Sequence, residues 1–345
     1  MGKLENPLVR SLKLHEWPMA DQAAWFQVRR PPGRLTLGGS AAHLGITTQN
    51  DMARRYGLFL EHVIRELGKL DTTGTPAGSV TRDHVESYVA ELNLRVSTVT
   101  VHGSIAKLRR MAEYLDPHTD YGWLRDIEND CALEMIPASK FNRIVETDRI
   151  VEAGLALMEE VEITKTRTRL QRAQSYRNGL MIALLALCPI RLKNLSSLTI
   201  DKNFVKLGKG WLIVLGAKDT KERRPDERPI PPFLTQCIEI YLNTYRPTFS
   251  YAGKELWVGI YGVPLSYSGV ERIVTETTRQ TLGIPISPHL FRSCAASTAY
   301  MHGNDFPHLA TALLNHRGST TTQEHYVRSR SSFYCEEYRK LLDNV

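Results

Sequence analysis

The sequence predicts a mainly α-helical chain of two domains, with one small antiparallel β-sheet in the second. Three observations carry this expectation. Apolar residues recur at helical spacing through most of the chain. A break at 136–144, Ile-Pro-Ala-Ser-Lys-Phe-Asn-Arg-Ile, separates two helical blocks. One short apolar run, Trp-Leu-Ile-Val-Leu at 211–215, is followed by a charged turn and a further extended segment.

The elements follow in chain order. Residues 1–47 hold Trp17, Trp25, an Arg-Arg-Pro-Pro run and a Gly-Gly-Ser turn, which read as an extended lead-in with at most one short helix. A helical domain over 48–135 comes next. Its first helix places Met52, Tyr56, Phe59, Leu60, Val63, Ile64 and Leu67 on one face and ends at Gly68. A second starts near Thr81 with Val85, Tyr88, Val89 and Leu92 inward. A third, from about Ser97 to Leu115, buries Val101, Ile105, Leu108, Met111, Ala112 and Leu115, and leaves His102, Lys107, Arg109 and Arg110 off that stripe.

A linker at 136–146 leads into a second domain, 147–330. Its first helix, about 147–161, turns Ile150, Val151, Leu155 and Met158 inward. Residues 164–177 then hold five basic side chains (Lys165, Arg167, Arg169, Arg172, Arg177) and no acidic one. An almost wholly apolar helix from about Tyr176 to Leu187 stops at Cys188-Pro189, and Arg191 opens another. The run at 211–215, a tip carrying Lys218 and Lys221, and the Pro-Ile-Pro-Pro segment at 229–232 read as a hairpin. A helix over 233–245, a short strand near 256–258 and a helix over 266–282 complete the outline, with an apolar-striped helix at 331–345.

Composition narrows the function classes. Lys and Arg total 44 against 37 Asp and Glu, a net charge of +7, which permits a polyanionic partner without requiring one. Cys131, Cys188, Cys237, Cys294 and Cys335 lie far apart with no Cys-x-x-Cys, so they read as reduced, mostly buried thiols in a cytosolic setting, neither a disulfide framework nor a metal site. No apolar run reaches membrane-spanning length and the first residues lack a signal-peptide pattern, so a cytoplasmic, nucleoid-associated protein without a membrane partner is expected.

One ordered set of residues carries chemistry. Arg191 is followed by Ser-Pro-His-Leu-Phe-Arg at 287–292, then by Leu-Leu-Asn-His-Arg at 313–317, and Tyr326 stands ten residues after His316. Cleaving a phosphodiester without a metal requires guanidinium groups on the non-bridging oxygens, a nucleophile, and an acid for the departing oxygen. Arginine suits the first task because its planar fork binds phosphate oxygens in pairs and stays protonated. On a helix, His289 and Arg292 share one face.

Taken together, these residues resemble the tyrosine recombinase (phage integrase) family. The resemblance implies a core-binding domain clamping DNA at 48–135 and an α+β catalytic domain at 147–330. It implies Tyr326 as nucleophile forming a 3′-phosphotyrosyl link, with Arg191, Arg292 and His316 stabilising the phosphorane-like charge. His289 would assist proton transfer and Lys218 would protonate the leaving 5′ oxygen, with Lys221 as the other candidate. No cofactor, metal or ATP is implied. The partner would be double-stranded DNA, bound by four protomers on paired sites and by a monomer or weak oligomer when free. The helix at 331–345 would pack on its own domain or on a neighbour's. Candidate DNA-contacting residues are Lys107, Arg109, Arg110, Lys165, Arg167, Arg169, Arg172, Arg177 and Lys221. Two departures stand out: Asn194 replaces a usual carboxylate, and Asn315 a usual glycine. They keep open a non-catalytic DNA-binding relative, and a type IB topoisomerase would share the same chemistry. A metal-dependent hydrolase using His289, His316 and His325 lacks accompanying ligands at a recognised spacing.

Overall fold

Several helices begin where the sequence supplies a capping oxygen. In the computed structural model, which describes residues 10–68, 70, 74–136, 141–163, 167–220, 223–302 and 309–314, the Thr81 hydroxyl accepts from the His84 N–H and the Ser97 hydroxyl from the Thr100 N–H. The chain divides into two units, Met1–Ala138 and Ser139–Val345. Both are helical, and the second holds a three-stranded antiparallel sheet, so the mainly α architecture with one small sheet stands.

The first unit contains α1 (Met19–Val28), α2 (Ile46–Leu67), α3 (Arg82–Arg95), α4 (Thr98–Leu115) and α5 (Gly122–Leu133). The apolar stripe of α4 is buried from Val101 to Leu115 and packs on α2 and α5. α2 ends at Gly68 in the left-handed conformation (φ 73°), which relieves its terminal carbonyls without a Cβ clash. The expectation of an extended lead-in needs correcting. Trp17 and Trp25 are buried in this unit's core, Trp17 lying edge-on to Tyr56 at 4.9 Å. Asp21 on α1, also buried, accepts from the Tyr56 hydroxyl and the Ala77 N–H, each at 2.7 Å. Residues 10–45 are therefore part of the helical unit, held by partners that come from α2 and the 74–80 loop.

The second unit is built around α7 (Arg169–Leu187), which packs on α6 (Thr147–Ile163). The two helices meet at Gly154 and Gly179, where a Cβ on either would stand 2.7 Å from the other's carbonyl oxygen. From Leu180 to Ala186 every residue of α7 is buried. α7 starts at Arg169, earlier than its apolar stretch suggests. Thr168 caps it reciprocally with Gln171, so Arg167 stands just before the helix and Arg169, Arg172 and Arg177 on it.

After α8 (Leu192–Ser196), β1 (Phe204–Leu207), β2 (Gly210–Leu215) and β3 (Asp226–Pro229) pair in that order. Phe204 faces Ile213 across the first pair and Ile213 faces Arg228 across the second. β1 was not foreseen, and the expected strand near 256–258 forms isolated bridges only, Thr199 with Glu255 and Val258 with Pro264. α9 (Pro232–Ile240) continues as a π turn over Tyr241–Tyr245. α10 (Tyr267–Leu282), α11 (Pro288–His302) and α12 (Leu309–Leu313) follow, and α12 packs on α11.

Candidate active site

Arg191 is placed by the abrupt end of α7. Cys188 takes the C-cap position, Pro189 prevents continuation, and Arg191 becomes the N-cap residue of α8 with extended backbone (φ −69°, ψ 147°). Its carbonyl accepts the N–H groups of Asn194 and Leu195 at 2.8 and 3.0 Å. The turn is anchored from below by the Trp257 indole, which donates to the Leu195 carbonyl at 2.9 Å. Arg191 itself is half-buried, and Asn194 is buried.

α11 supplies the next two residues. Its first turn follows Pro288, and the Ser287 carbonyl accepts from the N–H groups of Leu290 and Phe291. His289 is exposed, whereas Arg292, one turn on, is only 7% exposed. Arg292 donates through one terminal nitrogen to the Pro189 carbonyl at 2.5 Å and through the other to the Leu314 carbonyl at 2.7 Å. Leu314 is in turn buried against Ala296 of the same helix. One guanidinium thus joins α11 to the turn just before Arg191 and to the chain two residues short of His316. His316 and Tyr326 lie outside the described residues, as do Lys165, Lys221 and the 331–345 segment.

Lys218 is exposed on a short 3-10 turn, Ala217–Asp219, at the tip between β2 and β3. The tip is shaped by the buried Thr220, whose hydroxyl donates to the Arg224 carbonyl at 2.7 Å and accepts from the Arg224 N–H at 3.0 Å. At the hairpin's root the Arg228 guanidinium forks onto the Asp226 carboxylate, with contacts of 2.9–3.1 Å. Burial pushes the Cys188 thiol up to about 11, while the nearby Arg228 charge pulls it the other way. The Arg228 charge at the hairpin's root is thus felt at Cys188, the C-cap of α7. This Asp226–Arg228 pair was missed from the sequence. Its signal is the alternation of two opposite charges on one face of a strand.

The cationic candidates separate by what they touch. Arg110 and Arg169 are exposed. Lys107 pairs with Asp51, and Arg109 is held by both Glu113 and Glu128. Arg167 bonds Glu160 and Ser175, and Arg172 donates to the Val161 carbonyl at 3.1 Å. Arg177 requires a correction. It is 2% exposed, donates to the Val258 carbonyl at 2.6 Å and to the Asn178 side chain, and stands 5.2 Å over the Phe249 ring. Its charge is turned into the interior, away from any external phosphate. Among the described residues no helix is long and apolar enough to cross a membrane.

The chain is similar to known proteins in both sequence and fold. It is 27% identical over 168 residues to the tyrosine recombinase XerC of Staphylococcus aureus, covering 48% of this chain and 54% of that protein. XerC of Staphylococcus haemolyticus is also 27% identical, over 165 residues and 53% of its length. The chain thus spans about half the length of the curated relatives it matches. Among solved structures, the XerH site-specific recombinase bound to its difH substrate superposes with a TM-score of 0.57 at 14% identity, over 85% of this chain and 81% of that one. The Tn1549 transposon integrase in complex with transposon right-end DNA gives 0.51 at 13% identity, over 89% and 94%. The sequence profile of the phage integrase family matches residues 156–332, more than half of the chain and the stretch that carries Arg191, Lys218, His289, Arg292, His316 and Tyr326, and the chain belongs to that family.

Proposed function

We propose that this protein is a site-specific DNA recombinase that cuts and rejoins duplex DNA through a covalent 3′-phosphotyrosyl intermediate. The observation that carries this reading is the bonding of Arg292. From α11 it reaches the carbonyl two residues before Arg191 and the carbonyl two residues before His316, so three separate stretches of the ordered set are tied by one side chain. DNA as partner is supported by the family and by the DNA-bound structures that share the fold.

In the proposed reaction the Tyr326 phenolate oxygen attacks the scissile phosphorus. The new O–P bond forms as the bond to the 5′ oxygen breaks, and Lys218 gives that oxygen its proton. Arg191, Arg292 and His316 stabilise the charge on the non-bridging oxygens, and His289 takes part in proton transfer on the nucleophile's side. The phosphotyrosyl link conserves the energy of the broken bond, so the step needs neither ATP nor a metal, and attack by another strand's 5′ hydroxyl reverses it. Exchange between two duplexes requires four such cleavages, hence four protomers on paired sites.

A nicked suicide DNA carrying the protein's own site, found by mapping attachment on the DNA flanking its gene, provides the test. The wild type should form a protease-sensitive covalent adduct and Tyr326→Phe none. Arg191→Ala should slow adduct formation by about 10²–10³-fold, the usual cost of removing one such donor. An adduct formed by Tyr326→Phe would overturn the assignment. DNA binding with no adduct from the wild type would leave the non-catalytic reading in its place, and relaxation of supercoiled DNA without paired sites would indicate the topoisomerase reading.

A further inference from the structure

Between α1 and α2 the chain projects as a narrow loop, 30–40, none of whose residues belongs to the site described above. Its arms close on each other. The Gly39 N–H donates to the Arg30 carbonyl at 2.9 Å, the Ala41 N–H to the Val28 carbonyl at 2.8 Å, and the Gly33 N–H to the Thr36 carbonyl at 3.0 Å. A Cβ on Gly38 would stand 2.9 Å from the Pro32 nitrogen, and one on Gly39 only 2.3 Å from the Val28 carbonyl oxygen. The buried Gln49 ties down the root, donating to the Ala41 and Leu44 carbonyls at 3.4 and 3.0 Å. The loop is therefore slender and firmly rooted.

Its tip is unusual for a water-facing segment. Leu35 and Leu37 are each 97% exposed, and Arg30 and Arg34, just before them in the chain, are exposed too. From Gln22 to Asn50 the sequence contains no acidic residue. Two leucines held out in water beside two arginines suit a partner that is anionic at its rim and apolar within. A DNA groove has that character, with phosphates along its edges and stacked bases at its floor.

We propose that loop 30–40 is a DNA wedge, in which Arg30 and Arg34 hold phosphates along the groove edge while Leu35 and Leu37 press against a base step and unstack it. This rests on the reading of the protein as DNA-binding. It adds a contact from the N-terminal unit that deforms the duplex as well as gripping it.

The full chain can be titrated onto a mixed-sequence DNA duplex containing 2-aminopurine, following anisotropy for affinity and 2-aminopurine fluorescence for unstacking, over a range of salt. Arg30→Ala/Arg34→Ala should weaken binding and flatten the log–log salt slope by roughly 0.9 per lost phosphate contact. Leu35→Ser/Leu37→Ser should weaken binding about tenfold or more with the slope unchanged, as expected for apolar burial, and abolish the fluorescence rise. All four side chains are exposed, so the thermal midpoint should stay at the wild-type value. Equal affinity of wild type and leucine variant for DNA would overturn the wedge while leaving the proposed function intact. So would an effect of the leucines confined to self-association or to binding of anionic phosphatidylglycerol vesicles. Absence of DNA binding by the wild type would instead overturn the proposed function.

Discussion

Removing the Arg177 side chain separates a structural cation from a DNA-contacting one. Its guanidinium makes a charge-assisted bond to the Val258 carbonyl, a bond to Asn178 and a ring contact with Phe249. Such groups contribute about 1.5–3 kcal/mol for the charged bond and about 1–2 kcal/mol for a desolvated ring contact. Against this stands burial of the charge, which lowers its pKa from 12.5 to about 10. That depression corresponds to a penalty of about 3 kcal/mol. The favourable side, about 2.5–5 kcal/mol before the Asn178 bond is added, outweighs the penalty by up to about 2 kcal/mol. Arg177→Met keeps the aliphatic bulk but strands the Val258 carbonyl, so it should destabilise by about 1–3 kcal/mol. Arg177→Ala also leaves a void beside Phe249 and should cost about 2–4 kcal/mol. Urea unfolding at neutral pH measures both. In parallel, neither variant should alter the salt slope of DNA binding, whereas Arg110→Ala and Arg169→Ala should each lower it if those exposed residues meet phosphates. A folded Arg177→Met protein with a reduced salt slope would refute the assignment of Arg177 to the interior.

Three further outcomes follow from the packing. Burial raises the Asp21 carboxyl pKa, so relative to the Asp21→Asn protein the wild type should lose stability as pH rises through that folded pKa, and the gap should vanish at low pH where Asp21 is protonated; urea midpoints across pH test this. Gly179→Ala adds a methyl 2.7 Å from the Gly154 carbonyl and should destabilise by about 1–3 kcal/mol despite the better helix propensity of alanine, as read from the shift in urea midpoint. The thiols of Cys188 and Cys294, buried and pushed up to about 11, should resist a thiol reagent at neutral pH until the protein is unfolded.

Much of the fold is legible because its signals are local. Thr81, Ser97 and Ser266 each cap a helix with their own hydroxyl, and Gly68 and Gly283 each close one in the left-handed conformation. The apolar stripes of α2 and α4 are periodic over several turns, long enough to stand out from chance. Trp17 and Trp25 carry no period, and the partners that bury them come from elsewhere in the chain, so the N-terminal segment reads as loose when it is part of a core. β1 is four residues long with only Phe204 buried, too brief for alternation to register.

The site divides the same way, and the division has a physical cause. Residue type and order single out Arg191, His289 and Arg292 as candidates, because phosphate chemistry restricts which side chains can serve. What they touch is a different matter. Arg292 finds its carbonyl acceptors 103 and 22 positions away, and Arg177 finds one 81 positions away. Two arginines in one chain, each suited to bind phosphate, end in different environments according to which helix end or loop the fold brings past them. For Arg177 the neighbour is the Val258 loop inside the core, which fixes the charge where no external anion reaches it. For Arg292 the neighbours are the Pro189 turn and the Leu314 carbonyl. Those bonds limit how far the guanidinium can turn, and they link the stretch that presents Arg191 to the stretch that leads into His316. Folding of α11 against α7 and ordering of the site are then coupled, so a substitution that loosens the helix crossing at Gly154 and Gly179 should be felt at Arg292 as well as in global stability.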